Sequence, residues 1–160
     1  VGSSGEKYDV LVIRDPFNLM ASQLKAGMCR LDDGSAQAMI RLWISYAEEF
    51  VGKTEILNYK KVSVNFNRWH VDASYRKQLA EQMGFQFTDA GREQVRGYGG
   101  GSSFDDRSMD NQGSKMDILS RWRAFESDQQ FWQLFRDDSL LTYVDSIFDV
   151  TNLPLHYVKR

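Results

Sequence analysis

The sequence has few of the residues that cross-link a protein, give it a strong charge or anchor it in a membrane. Its 160 residues include one cysteine, Cys29, which excludes an intrachain disulfide and a cysteine-rich metal site and suits a reducing compartment. Twenty basic and twenty-two acidic side chains leave a net charge of −2, so no general attraction to nucleic acid or to a membrane surface is expected. No apolar run approaches the roughly 18–20 residues that cross a bilayer, and the polar first residues do not resemble a signal peptide. We therefore expect a cytoplasmic protein in which any anion binding is local.

The composition is that of a globular protein. Hydrophobic residues make up 42%, aromatic residues 13% and charged residues 26% of the chain, which is outside the range of disordered or fibrous sequences. The length fits one domain with a sizeable core, and we assign residues 1–160 to it. Within this domain, residues 97–115 are rich in Gly, Ser and Asp and are predicted to form a flexible loop.

One stretch near the N-terminus organises the rest of the chain. Val10 to Ile13 are four consecutive aliphatic residues, a pattern typical of a strand buried on both faces of a parallel sheet. Asp15 and Pro16 follow, an N-cap type and a first-turn type of residue, and they predict a helix that ends at Gly27. An arginine between a strand and a helix N-terminus can form an anion site, because the helix dipole, the backbone amides and the guanidinium all favour negative charge. Arg14 is in this position, and the hydroxyl of Ser22 could add a donor two helical turns later.

The remaining elements predict an α/β fold in which a small parallel sheet is accompanied by a largely helical remainder. A helix over 36–51 is expected to expose Glu49, and the alternation of Val62, Val64 and Phe66 predicts a second strand over 60–66. Residues 67–70 are expected to form a turn before a helix over 71–83. Further helices are predicted within 116–137, with a break near Ser127 and Asp128, and over 139–148, before an extended tail that begins at Pro154.

The order of a strand, Arg14-Asp15-Pro16 and then Ser22 resembles the 3′-phosphate-binding segment of sulfotransferases. These enzymes have a P-loop-like α/β fold and use 3′-phosphoadenosine 5′-phosphosulfate (PAPS) without a metal. The resemblance implies that Arg14 and Ser22 bind the 3′-phosphate, and that Phe66, at the end of the second strand, stacks on the adenine. The acidic residues that follow the corresponding aromatic residue in the family are absent here. For Arg14 the alternative is an ion pair with Asp15 or another acid at a strand end, and for Phe66 it is an ordinary position in the core.

A glycine-rich segment provides a second candidate for phosphate binding. Three consecutive glycines are costly to order, so such a loop either stays mobile or is ordered by a ligand that its backbone approaches closely. Sulfotransferases carry a late loop that closes over the 3′-phosphate, and the resemblance assigns that role here to Arg96, Gly99, Gly100, Gly101, Ser102 and Ser103. A surface linker is the alternative.

The resemblance covers only part of the family pattern. Sulfotransferases place a catalytic lysine and a His or Glu base before the arginine segment, and only thirteen residues precede Arg14, so no catalytic residue is assigned. His70 is expected to be structural. We expect an incomplete parallel sheet, which a second copy or a partner chain could complete, and a nucleotide cosubstrate with an unidentified hydroxyl or amine acceptor. The alternative is a non-catalytic helical interaction domain in which Arg14 is structural.

Overall fold

The computed structural model describes residues 5–95 and 102–158. It is a mostly helical α/β fold with one small parallel sheet, as the sequence predicts. The elements in these ranges are the strands β1 (Tyr8–Ile13) and β2 (Lys60–Asn65) and the helices α1 (Pro16–Lys25), α2 (Ser35–Phe50), α3 (Phe66–Val71), α4 (Ala73–Gln82), α5 (Gln129–Gln133), α6 (Asp138–Ile147) and α7 (Leu155–Val158). None of the described helices is both long and apolar enough to cross a membrane.

The two strands pair in parallel, with Tyr8 opposite Lys60 and Ile13 opposite Asn65. The prediction that the first strand is buried on both faces is wrong. Ile13 is buried beside Trp43 of α2, but Val10 and Val12 on the other face are 50% and 53% exposed. In the described part of the chain the sheet has only these two strands, and α2 covers one of its faces.

The start of α1 is fixed by a buried carboxylate. Asp15 is fully buried and caps the helix by accepting hydrogen bonds from the backbone amide of Asn18 at 2.9 Å and from its side-chain amide. It also accepts a hydrogen bond of 2.7 Å from Nδ2 of Asn67 in α3. Pro16 occupies the first turn and Gly27 follows the helix at a φ of 69°, so the predicted start and end signals are confirmed.

The second strand ends one residue earlier than predicted, and residues 67–70 lie within a helix instead of a turn. Asn65 caps α3 by accepting a hydrogen bond from the amide of Arg68, and Asp72 caps α4 through the amide of Tyr75. The predicted helix over 71–83 corresponds to α4, and α3 is an additional helix where a turn was predicted. The cap at Asp72 separates the two helices, because its side chain replaces the backbone partner that a continuous helix would provide.

Only part of the segment 116–137 is helical as predicted, but the predicted break near Ser127 and Asp128 is confirmed. Residues 121–125 form a 3₁₀ turn, and α5 begins only after Asp128, which caps it. The three- and four-residue apolar spacing in this region reflects packing instead: Phe131, Phe135 and Phe17 of α1 form one aromatic cluster, with the rings of Phe17 and Phe135 4.7 Å apart. The tail after Pro154 is the short helix α7, not extended chain.

Glu49 is buried, although the helical pattern predicts it on the solvated face of α2. Its carboxylate accepts hydrogen bonds from the amide of Ile56 at 2.8 Å, from the hydroxyl of Thr54 at 2.7 Å and from Nζ of Lys61 at 3.0 Å. These bonds hold the connection between α2 and β2. The amide of Ile56, with help from Thr54 and Lys61, lowers the pKa of Glu49 to about 2.

We predict that Glu49 makes the protein sensitive to acid. A carboxyl group with a lowered pKa in the folded state stabilises it fully above its unfolded pKa of about 4.3, and this contribution is lost as the pH falls towards 2. The free energy of unfolding of Glu49→Gln should therefore change less between about pH 5 and pH 2 than that of the wild type. Urea denaturation across this pH range tests the prediction, and Glu55→Gln, at an exposed position in the same connection, is the control. Parallel pH profiles for the wild type and Glu49→Gln would contradict it.

A second prediction concerns the cap that joins α1 to α3. Asp15→Ala should lower the free energy of unfolding by about 2–4 kcal/mol, because it removes a helix cap and leaves buried amide donors without a charged acceptor. Urea denaturation at neutral pH measures the loss. Asp149→Ala removes an exposed cap, whose carboxylate accepts a hydrogen bond from the amide of Thr151, and should have a clearly smaller effect. Equal losses in the two variants would show that the buried network around Asp15 is not important for stability.

Candidate functional site: a cationic cavity

Arg14 lies at the end of β1, and its side chain points along α1. Its Nη1 donates a hydrogen bond of 3.1 Å to Oγ of Ser22, and its Nη2 donates to the carbonyl oxygen of Ile118. The carboxylate of neighbouring Asp15 is turned towards Asn18 and Asn67, and no ion pair found in residues 5–95 and 102–158 includes Arg14. The alternative of a strand-end ion pair is therefore wrong for the described part of the chain.

A second arginine meets Arg14 at the same hydroxyl. The side chain of Arg121 is only 8% exposed, and its Nη1 lies 3.1 Å from Oγ of Ser22. Its Nη2 donates to Oγ of Ser102 at 2.7 Å and lies 3.5 Å from a carboxylate oxygen of Asp105. The sequence analysis did not identify Arg121. One signal could have found it. Arg121 follows Ile118 by three residues, so it stands at a position of the apolar pattern formed by Ile118, Trp122 and Phe125, where a charged residue is unusual.

Ser22 has a different role from the one predicted for it. Its hydroxyl donates a hydrogen bond of 2.9 Å to the carbonyl oxygen of Asn18 and accepts from both guanidinium groups. A hydroxyl has one proton to donate, and here the backbone takes it. Ser22 therefore orients Arg14 and Arg121 instead of offering a donor of its own to a ligand.

The sequence predicts that backbone amides at the start of α1 help to bind an anion, but two of these amides already have partners in the protein. The amide of Asn18 is bonded to Asp15, and the amide of Asp15 itself is bonded to Oδ1 of Asn67. An anion in this region would therefore be bound by side chains from β1 and from the 118–122 segment, and not by the helix terminus.

Three buried guanidinium nitrogens in this region have no hydrogen-bond partner within the described residues. They are the Nε atoms of Arg14, Arg92 and Arg121. Buried donors of charged groups are almost always paired, and leaving one unpaired costs about 1–3 kcal/mol or more. All three arginines line one cavity of about 350 Å³. A cavity lined by three cationic side chains is suited to an anion with several acceptor oxygens.

Aromatic side chains and a histidine complete this cationic cavity. Phe66 and Trp69 stack on each other with ring centroids 5.9 Å apart, and the guanidinium of Arg14 lies 5.5 Å from the Phe66 ring. His70 lies in the wall, and its carbonyl oxygen accepts a hydrogen bond of 2.8 Å from Arg92. Segment 113–116 closes the other side, and a side chain at Gly113 would collide with the carbonyl oxygen of Arg92.

The electrostatics of the cationic cavity are unbalanced towards positive charge. Burial, with a further contribution from Arg121, lowers the pKa of Arg14 to about 10, although Asp15 acts in the opposite direction. Burial also lowers the pKa of Arg121, with Asp105 and Asp117 opposing it. Both groups remain charged at neutral pH, so the protein holds two neighbouring cations. An anion that enters the cavity would stabilise the charged form of each.

The structure brings together four of the predicted site residues, Arg14, Ser22, Ser102 and Ser103. Oγ of Ser103 lies 3.4 Å from Nη1 of Arg121, and Phe66 lies in the cavity wall. Arg96, Gly99, Gly100 and Gly101 lie outside the described residues. In the described part of the predicted loop, residues 102–106 form a tight turn joined by two backbone hydrogen bonds. The contribution of Arg92 could not be read from the sequence, because no local pattern distinguishes it from a surface arginine.

The chain matches no family model, and neither the curated proteins nor the solved structures include a match to it. The geometry and charge of the cationic cavity and the motif resemblance are therefore the features that indicate a function.

Proposed function

We propose that this chain binds the 3′-phosphoadenosine part of PAPS, as a sulfotransferase-like domain. The observation that carries the proposal is the meeting of Arg14 and Arg121 at Ser22, where both guanidinium groups belong to residues that line the cationic cavity. Phosphate is the anion that such a site favours, because guanidinium groups bind its oxygens in a fork geometry.

The charged groups around the cavity support this assignment. The carboxylates that contact its arginines are Asp105, 3.5 Å from Arg121, and Glu93, 3.5 Å from Arg92. Both distances are longer than the roughly 2.7–2.9 Å of strong charge-assisted hydrogen bonds. Three arginines line the cavity and two of them are paired with a carboxylate, so an excess of positive charge remains that a phosphate can neutralise.

The aromatic wall of the cavity supports a nucleotide over a free phosphate. Phe66 and Trp69 also line a neighbouring apolar cavity of about 460 Å³, so the two aromatic rings connect a cationic space with an apolar one. A purine and a phosphate on one ribose need such a combination of surfaces. We propose that Phe66 contributes to the binding of the adenine.

The cosubstrate would supply the sulfuryl group, which a hydroxyl or amine acceptor would receive. For this chain we assign binding roles only: Arg14 and Arg121 hold the phosphate, Ser22 orients them, and Ser102 and Ser103 position Arg121 from the turn that follows the glycine-rich segment. No residue of this chain is assigned to the chemical step.

Calorimetric titration with 3′-phosphoadenosine 5′-phosphate tests the proposal directly. We expect binding by the wild type, and affinities roughly 10- to 100-fold lower in Arg14→Gln and Arg121→Gln, because each variant removes charge-assisted hydrogen bonds worth about 1.5–3 kcal/mol. Adenosine 5′-phosphate, which lacks the 3′-phosphate, should bind more weakly than the bisphosphate to the wild type.

Arg30→Gln is the matched control, because Arg30 is an exposed arginine that pairs only with Asp32 among the described residues. Its affinity should equal that of the wild type, and circular dichroism should show that all three variants are folded. Equal affinities for the two nucleotides, or an unchanged affinity in Arg14→Gln, would contradict a 3′-phosphate site at Arg14.

One observation favours the second candidate, a domain that works by binding another polypeptide. Val10 and Val12 form an exposed apolar strip on the sheet, and Phe85, 63% exposed, lies beside it. We propose that further polypeptide covers this strip, from a second copy or from a partner chain. Sedimentation that changes with protein concentration in the wild type but not in Val12→Lys would support a second copy. Nucleotide binding without such a change would favour the first candidate.

A further inference from the structure

His70 is the titratable group of the cationic cavity that the proposed function leaves without a role. It lies at the end of α3 and lines the same cavity as Arg14, Arg92 and Arg121. Its backbone carbonyl accepts hydrogen bonds from Arg92 at 2.8 Å and from Arg76 at 3.3 Å. The position of His70 is therefore fixed by the arginines that surround it.

We propose that His70 is a proton-linked ligand of this anion site: when a phosphate dianion enters the cavity, the imidazole takes up a proton from solvent. The occupied cavity then holds one more positive charge than the empty one. This inference rests on the proposed function, because it concerns the same cavity and the same phosphate.

The groups around His70 explain why the empty cavity disfavours the protonated ring. Burial lowers the pKa of His70, and Arg92 from the 91–93 turn, Arg14 from β1 and Arg76 from α4 lower it further. A backbone interaction with Met116 is the one influence that raises it. Two carboxylates are engaged by arginines that surround His70, Asp89 by Arg76 at 2.8 Å and Glu93 by Arg92 at 3.5 Å.

A dianion in the cavity weakens the positive field that His70 experiences. Two negative charges in the cavity offset part of the repulsion from three guanidinium groups, so the pKa of His70 rises when the phosphate binds. Linkage then requires that affinity depends on pH. Between the free and bound pKa values of His70, affinity falls as the pH rises, by up to about tenfold for each pH unit.

Nuclear magnetic resonance of the wild-type chain is the first test. The chain has only two histidines, so His156→Gln assigns the remaining ring signal to His70. We expect the titration midpoint of His70 to rise by about one pH unit or more when 3′-phosphoadenosine 5′-phosphate saturates the site. Sodium chloride at matched ionic strength should leave the midpoint unchanged. Sodium sulfate, a dianion that does not titrate in this range, should raise it if it binds the cavity.

Calorimetry of His70→Gln is the second test. The phosphates of the nucleotide titrate too, but they do so equally with both proteins, so the difference between the proteins isolates the histidine. We expect the wild type to bind about tenfold more tightly than His70→Gln near pH 5.5, and the two affinities to converge near pH 8.5. Proton uptake, measured in buffers with different ionisation enthalpies, should be smaller in His70→Gln.

The outcomes separate this inference from the proposed function. If the wild type binds the nucleotide but the midpoint of His70 does not move, His70 is not proton-linked and the nucleotide site stands. If the wild type binds neither the nucleotide nor sulfate, both proposals fail. The spectroscopic test uses the wild-type residue at position 70, so a folding defect in His70→Gln cannot leave the inference undecided.

Discussion

The structure confines two positive charges at one point, and its other contacts must offset their repulsion. Arg14 arrives from the end of β1 and Arg121 from the 118–122 segment, and both donate to the single hydroxyl of Ser22. Like charges held this close repel each other, and a folded protein keeps such a pair only when other contacts hold it. A ligand that carries negative charge removes this repulsion, which links the stability of the fold to the proposed occupancy of the site.

The contacts that hold this arrangement are amide and carboxylate groups buried at the start of α1. Asp15 connects α1 to Asn67 of α3, and the side chain of Asn18 donates to the carbonyl oxygen of Leu119 at 2.9 Å and accepts from the amide of Trp122 at 3.3 Å. Asn18 therefore bonds to residues on both sides of Arg121 in the sequence. The same helix end therefore positions the aromatic wall of the cavity and its second arginine, and the precision of the site comes from buried hydrogen bonds with few alternatives.

Short-range patterns were reliable where a local rule fixes the backbone. The strand before Arg14, the cap at Asp15, the first-turn Pro16 and the left-handed Gly27 depend on neighbouring residues alone, and all agree with the structure. The same rules failed at residues 121–125 and at Glu49. There, apolar spacing and helical periodicity predicted a helix and an exposed face. Aromatic packing determined the outcome at residues 121–125, and at Glu49 it was determined by Ile56 and Lys61, which lie beyond the end of its own helix.

Local patterns were enough to predict an α/β domain with few strands and an arginine between a strand and a capped helix. That Arg92, Arg121 and His70 share a cavity with Arg14 follows from long-range packing, because Arg121 is 107 positions after Arg14 and these residues meet through contacts that no local pattern encodes. Tertiary packing also bonds the backbone amide of Asp15 to Asn67, 52 positions away, so this donor is already occupied. The physical reason is that strand and helix signals depend on backbone geometry within a few residues, whereas a binding cavity depends on which buried donors remain unpaired once the whole chain has packed.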